Sequence, residues 1–235
     1  MKAILVLIVA IAFAVAPFLS PEFGGIDPDR YPIPQDNPPV QPVGWAFSIW
    51  GPIYLWLVAH ALVGAFKYRQ DLRWERGRIA LALSLAIGTI WLPVALVSPI
   101  WATILIWAML IAALIALYQL QGATPGWIAR WPVALYAGWL SAASFVSIGL
   151  LLAGYGFAGE IVAAVIALGL AAGFAGLNAY RLRSWPYAIA VCWGFVGIAV
   201  ANISSSTMLT VAAVVAALII LSVTALPRKP SNGIK

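Results

Sequence analysis

The feature that most constrains this chain is a succession of long apolar stretches with short polar segments between them. A helix of about 20 apolar residues crosses the hydrocarbon core of a bilayer. Only 9% of the residues are charged, against about 25% in soluble domains. The sequence therefore predicts an all-α integral membrane protein, a bundle of about eight transmembrane helices, at 3–19, 44–67, 79–98, 100–121, 131–153, 160–180, 185–202 and 206–226.

Two of these boundaries have alternatives. The first stretch could be a signal peptide, since Ala14-Val15-Ala16 resembles a cleavage site. Cleavage there would leave Pro17 as the first mature residue, a poor substrate, so we expect a retained helix. The third and fourth stretches could also merge, because only the short Ser98-Pro99 turn separates them.

The charges predict the orientation. Short cytoplasmic loops of membrane proteins carry an excess of lysine and arginine. If the N-terminus is cytoplasmic and the helices alternate, every basic residue except Arg30 lies inside, and most acidic residues lie outside. We therefore expect both termini in the cytoplasm and a multi-pass protein of the bacterial inner membrane. The net charge of +6 is spread over several loops, which argues against a nucleic-acid partner.

Three polar segments differ in character. Segment 20–42 is rich in proline and acidic residues, which favours extended chain. It is either a solvated linker or a lid over the outer mouth of the bundle, because loops of this length are often functional. The charged run 67–78 is predicted to be a solvated cytoplasmic loop, and 227–235 a basic cytoplasmic tail.

Side chains suited to catalysis or metal binding are scarce. Membrane-embedded ionisable residues usually mark ion or proton paths, and no Asp, Glu, Lys or Arg lies in the middle of a predicted span. The single cysteine, Cys192, excludes a disulfide within the chain. We therefore predict that the chain is not an enzyme. His60, the only histidine, is a weak candidate for a metal or ligand contact and could equally have a structural role.

The strongest remaining signal is aromatic. The chain has 12 tryptophans, and those at loop edges suit the aromatic belts of a bilayer interface: Trp74, Trp127, Trp131 and Trp185. The deeper ones could bind a planar, conjugated ligand, or could fill the core or face lipid. Within 44–67, helical spacing places Phe47, Trp50 and Tyr54 on one face. Pro52 would interrupt that helix.

Two motifs resemble a known family. The sequence PVGWAFSIWGPIYLWLVAHA, which follows Pro38-Pro39, and the fifth-span sequence WPVALYAGWLSAASF are similar to those of the tryptophan-rich sensory proteins. This TspO/MBR group includes the translocator protein, or peripheral benzodiazepine receptor. Two family asparagines are replaced, by Gly88 and Ser147. Members typically have five helices, so the resemblance covers 3–153 only.

The resemblance implies an organisation and a function. It divides the chain into a five-helix core at 1–153 with the outer loop 20–42, three additional helices at 154–226, and the tail. It implies a receptor or sensor that binds a tetrapyrrole, a sterol-like lipid or an isoprenoid under the loop, and a homodimer. The implied ligand-binding residues are Trp45, Phe47, Trp50, Tyr54, Trp91 and Trp139.

Three alternatives remain open from the sequence. Pro52 and Pro93 could break helices around a midplane site, as in a small-solute transporter. The Gly- and Ala-rich sixth helix could serve as a docking surface in a larger, pigment-carrying membrane complex. The family resemblance also leaves porphyrin breakdown open as an activity.

Overall fold

The computed structural model describes residues 1–20 and 24–227, and every regular element within them is a helix. Eight of these helices are long and apolar enough to cross a membrane, which confirms the predicted all-α membrane bundle. Apart from Pro227, the predicted tail lies outside the described residues. The α-helices are α1 Lys2–Val15, α2 Trp50–Phe66, α3 Leu72–Ala95, α4 Pro99–Gln119, α5 Gly126–Ala129, α6 Trp131–Gly154, α7 Glu160–Leu182, α8 Trp185–Asn202 and α9 Thr207–Ala225. Single 3₁₀ segments cover Ala16–Leu19, Pro28–Arg30 and Gly44–Ile49.

The third and fourth spans are separate helices, as predicted. The Ser98 hydroxyl accepts a hydrogen bond from the Trp101 backbone N–H at 3.4 Å, which caps α4. Pro99 occupies the first position of α4, where its missing N–H costs no helical hydrogen bond. The chain therefore reverses direction within three residues of the end of α3.

The second span differs from the prediction. Residues Gly44–Ile49 form a 3₁₀ segment, and the α-helix begins only at Trp50. Pro52 is then the third residue of α2, where backbone N–H groups have no intrahelical acceptor in any case. The predicted span is confirmed, and Pro52 does not interrupt α2, because the α-helix starts two residues before the proline.

The charged run 67–78 is also not simply a loop. The Asp71 carboxylate accepts hydrogen bonds from the backbone N–H groups of Arg73 at 2.7 Å and Trp74 at 3.1 Å. This cap starts α3 at Leu72, earlier than the predicted span at 79. The prediction of a solvated loop is wrong from Leu72 onward, and Arg78 at its end is buried.

Trp74 is not a belt residue. Its side chain is 1% exposed, and its indole N–H donates to the Thr124 carbonyl at 3.0 Å. The ring lies between His60 and Tyr68 and stacks on both, with ring centroids 4.9 and 4.7 Å away. Trp127, Trp131 and Trp185, by contrast, are each between 44% and 55% exposed, as belt residues should be.

The helices form two rings that share α6. In the first ring each helix packs against the next in the order α1, α2, α6, α4, α3 and back to α1. In the second, α6 packs against α7, α7 against α9, α9 against α8, and α8 against α6. Because α6 has neighbours on both sides, it is the most buried of the spans. We call the end of the bundle that carries Lys2, Arg78 and Arg130 the basic end, and the opposite end the loop end.

Residues 24–43 lie across the loop end and are attached to α6 and α8. The Ile33 backbone N–H donates to the carbonyl of Gly154 at 2.9 Å, and the Asn202 side-chain amide donates to the Pro39 carbonyl at 2.8 Å. The latter bond joins residues far apart in sequence. This part of the segment is thus bonded to the helices rather than being a solvated linker.

Two side chains of the same segment are buried in the bundle. Tyr31 and Val40 are 5% and 3% exposed and pack in a cluster with Leu150 of α6 and Leu209 of α9. Burial raises the pKa of the Tyr31 hydroxyl, and neighbouring Tyr155 raises it further, so this hydroxyl stays neutral at physiological pH.

Candidate functional site

A cavity of about 530 Å³ lies near the loop end of the first ring. This volume falls within the roughly 300–1,000 Å³ of typical small-molecule pockets. It is bounded by α1 and the 3₁₀ segment that follows it, by the start of α2, and by α3 and α4. The residues that line it are Phe13, Ala16, Pro17, Phe18, Gly24, Phe47, Trp50, Tyr54, Gly88, Trp91, Leu92 and Met109.

One wall of the cavity is a packed group of aromatic rings. Trp50 and Tyr54, one turn apart on α2, stack with centroids 5.3 Å apart and an interplanar angle of 16°. Phe13 of α1 meets Tyr54 edge-on at 5.0 Å and Trp50 at 5.9 Å. The i, i+4 spacing brings the first two rings together, and the contact of α1 with α2 adds the third.

Two polar groups of this wall have no hydrogen-bond partner among the residues that the structure describes. Neither the Trp50 indole N–H nor the Tyr54 hydroxyl makes a hydrogen bond to any residue of the described chain. Both side chains are half-buried and line the cavity. Neither polar atom is fully buried, so both can be reached from the cavity and are available to a ligand that carries an acceptor.

Gly88 of α3 explains how Phe13 fits. A Cβ atom added at Gly88 would lie 2.4 Å from a ring carbon of Phe13 and 3.0 Å from the terminal methyl of Met109. The Phe13 ring therefore occupies the space that a side chain at position 88 would need. The asparagine that the resemblance places at this position could not be accommodated without displacing the Phe13 ring.

A second, smaller cavity of about 70 Å³ lies directly beneath the loop. Phe47 and Trp91 line both cavities and so stand between them. Trp139 of α6 lines only the smaller one, and Phe47 meets it edge-on at 6.0 Å. The Trp139 ring is 2% exposed, and its indole N–H is buried without a hydrogen-bond partner in the described residues.

A family model described as TSPO-like protein matches residues 1–226. The chain belongs to the TSPO-like protein family. The match continues through α7, α8 and α9, so family membership extends beyond 3–153, the part that the resemblance covers. No curated protein and no solved structure matches this TSPO-like chain significantly.

Five of the six predicted ligand-binding residues of the TSPO-like chain line one or both cavities. Trp45 does not. Its ring is 46% exposed and meets Trp193 of α8 edge-on at 5.0 Å. The Trp193 indole N–H donates to the Ala46 carbonyl at 2.8 Å and so fixes the 3₁₀ segment against α8. Trp45 therefore lies on the side of this segment that faces the second ring.

His60 lies at the basic end, away from both cavities. Its side chain is 4% exposed, and its Nδ1 is 2.8 Å from the Ile128 carbonyl of α5, to which it donates. The described residues contain no group of three or more His, Cys, Asp or Glu side chains that could hold a metal ion. His60 therefore has a structural role: its hydrogen bond joins α2 to α5, and its stacking on Trp74 joins α2 to α3.

Sequence reasoning missed the contributions of α1 and α4 to the cavity. Phe13 and Met109 line it, and Gly88 makes room for both. A signal existed on α3, where Gly88, Trp91 and Leu92 follow the i, i+3, i+4 spacing of a single face. No comparable signal pointed to Phe13, because its role depends on which helices become neighbours.

Proposed function

We propose that this chain is a membrane receptor or sensor that binds a hydrophobic planar molecule in the larger cavity. The chemical classes that suit it are a tetrapyrrole, a sterol-like lipid and an isoprenoid. The observation that carries the proposal is the aromatic wall, where the indole N–H of Trp50 and the hydroxyl of Tyr54 bond to no described residue. Membership of the TSPO-like family agrees with a role of this kind.

The wall suits a flat ligand with one polar edge. A conjugated ring can lie against the stacked Trp50 and Tyr54 or meet Phe13 edge-on, and each aromatic pair contributes about 0.5–1.5 kcal/mol beyond buried area. The Trp50 N–H and the Tyr54 hydroxyl can then donate to a carboxylate, carbonyl or hydroxyl oxygen of the ligand. A tetrapyrrole with acidic side chains offers both features.

Titration with protoporphyrin tests the proposal. We expect a saturable shift of the porphyrin absorption band with purified protein in detergent. We expect Trp50→Ala to weaken binding at least about tenfold, since buried aromatic anchors commonly contribute more than 1.4 kcal/mol. Measuring porphyrin absorption keeps the readout independent of the tryptophan removed.

Two further variants make the test specific. Trp127→Ala removes an exposed indole of the basic end and should bind as the wild type does. Tyr54→Phe keeps the stacked ring and removes the hydroxyl, so it should weaken binding less than Trp50→Ala does. Non-saturating binding, or equal loss in Trp50→Ala and Trp127→Ala, would show that the cavity is not the binding site.

The transporter alternative finds little support in the prolines. Pro52 lies in the first turn of α2, and Pro93 lies two residues before the end of α3. Both are near the loop end, whereas a transporter of this type breaks its helices near the middle of the membrane. We therefore keep the receptor proposal ahead of transport.

A homodimer, or a place in a larger membrane complex, is a second proposal that α7 favours. Gly169 and Gly173 have open space where a Cβ would point, and neighbouring Leu170 and Val165 are exposed. Small residues one turn apart let helix backbones approach closely in membranes. We expect about twice the protomer mass by light scattering in mild detergent, and the protomer mass for Gly173→Leu. A protomer mass for the wild type would contradict this.

A further inference from the structure

A third cavity, of about 170 Å³, lies at the basic end where α4, α6, α7 and α8 meet. It is unrelated to the aromatic cavity at the opposite end of the bundle. Its lining differs from that of the other two because it contains two arginines, Arg130 and Arg183, with Gln121 and Ser184. Its volume corresponds to roughly five or six molecules of liquid water, enough for a small anionic group.

Arg130 is the residue that most needs a partner. Its side chain is half-buried and makes no hydrogen bond or ion pair with any described residue. Its Nε is fully buried, and its guanidinium packs against Gly126 of α5. A Cβ added at Gly126 would lie only 3.1 Å from the Arg130 Nη2. A buried donor on a charged group is costly without an acceptor, and a guanidinium is well suited to phosphate oxygens.

Arg183 adds a second positive charge that no described carboxylate neutralises. Its Nη1 donates to the carbonyls of Val223 at 2.5 Å and Leu226 at 2.8 Å, and its guanidinium lies 4.5 Å from the centroid of the Tyr180 ring. Arg183 lines the cavity, and these contacts fix its guanidinium while leaving its charge in place. In the part of the chain that the structure describes, neither Arg130 nor Arg183 forms a salt bridge.

Ser184 supplies an uncommitted hydroxyl beside the arginines. It occupies the N-cap position of α8, but its side chain does not cap the helix and makes no hydrogen bond to a described residue. The cavity thus contains two cations, a free hydroxyl and the amide of Gln121, and none of the described residues that line it is acidic. This is the donor set of an anion site.

The position of the cavity identifies the anion. Trp131 and Trp185 both line it and are 44% and 51% exposed, and such tryptophans lie at the level of the lipid headgroups. Basic pockets between helices at this level bind phospholipid headgroups. The geometry points to a binding site for the phosphate of an anionic phospholipid, held by Arg130 and Arg183, with Ser184 donating a further hydrogen bond.

Native mass spectrometry after exchange into defined lipids tests this site. We expect wild-type protein to retain one phosphatidylglycerol more strongly than phosphatidylcholine, and Arg130→Gln to lose most of that preference. The expected loss of affinity is about tenfold, which corresponds to the free energy of one hydrogen bond to a charged group. The matched control is Arg76→Gln, an exposed arginine of the same end of the bundle, which should retain the wild-type preference.

Two further controls separate loss of lipid binding from a folding defect, and a lipid phosphate from free inorganic phosphate. Arg130→Gln removes no bond within the described protein, so its thermal unfolding in lipid-free detergent should match that of the wild type. Arg183→Gln also loses its bonds to α9 and should unfold at a lower temperature. Equal retention of the two lipids, or the same loss in Arg76→Gln and Arg130→Gln, would overturn the proposal. Displacement of the lipid by millimolar inorganic phosphate would show a free-phosphate site and would equally overturn it.

Discussion

Replacing Gly138 by alanine is expected to destabilise the bundle strongly, because the added methyl group would meet the backbone of a neighbouring helix. Gly138 lies where α6 crosses α8, and a Cβ added there would be 2.3 Å from the backbone carbonyl oxygen of Tyr187. The neighbour that would have to move is helix backbone rather than a flexible side chain. The Tyr187 hydroxyl is also bonded to Ser141 of α6, at 2.9 Å, which holds α8 in place.

We expect Gly138→Ala to lower the free energy of unfolding by about 1–3 kcal/mol, the usual cost of overpacking a close-packed interior. Equilibrium unfolding in mixed detergent micelles measures this. Gly176→Ala is the matched control, because the nearest atom to its added Cβ is Ile220 Cδ1 at 3.8 Å, an ordinary contact. There alanine should be neutral or stabilising, by up to about 1 kcal/mol, through helix propensity. Equal stability of the two variants would show that α6 and α8 do not approach this closely.

The loss of Arg78 is the second large effect we expect. Arg78 is 5% exposed and pairs with Glu75. Its guanidinium also donates to the carbonyls of Gly64 at 3.2 Å, Tyr68 at 2.6 Å and Arg69 at 2.8 Å. These carbonyls belong to the end of α2 and the turn that follows, where backbone acceptors have no helical donor.

Arg78→Ala should therefore lower the free energy of unfolding by about 2–4 kcal/mol, because the backbone carbonyls of Gly64, Tyr68 and Arg69 lose their donor, and a buried acceptor left unpaired costs about 1–3 kcal/mol. Arg78→Lys should recover part of the loss, since a lysine keeps the charge but cannot reach several acceptors in a fixed fork. The same micelle unfolding assay applies. Arg76→Ala, two residues away and exposed, should change stability by no more than about 0.5 kcal/mol. A similar small change in Arg78→Ala would refute the structural role of this arginine.

Much of the fold was predictable because the bilayer imposes a simple rule on sequence. A span must be long and apolar, so all eight stretches were located from composition, and even the short turn at Ser98-Pro99 was placed correctly. The ends of the helices were less predictable, because a capping side chain can begin a helix inside a run of charged residues that reads as a loop. Asp71 begins α3 inside a run of charged residues, and Arg78 of that run is buried because it bonds to backbone carbonyls.

The candidate site was predictable along one helix but not between helices. The spacing of Phe47, Trp50 and Tyr54 identified three side chains of the larger cavity. Phe13 and Met109 come from α1 and α4, and nothing in the sequence states that these helices are adjacent to α3. Trp45 was expected to contact the ligand only because of the family resemblance, and its ring meets Trp193 of α8 instead.

The attachment of the loop has a consequence for how a ligand would bind. Residues 24–43 are fastened to Gly154 and Asn202, and the Val43 backbone N–H donates to the Gly197 carbonyl at 3.2 Å. A loose loop that orders only when a ligand arrives loses conformational entropy at that moment, and this weakens affinity. Here α8, which lies outside the first ring, holds the loop in place before any ligand arrives. The additional helices thus pre-organise the cover of the smaller cavity, to which they contribute no side chain.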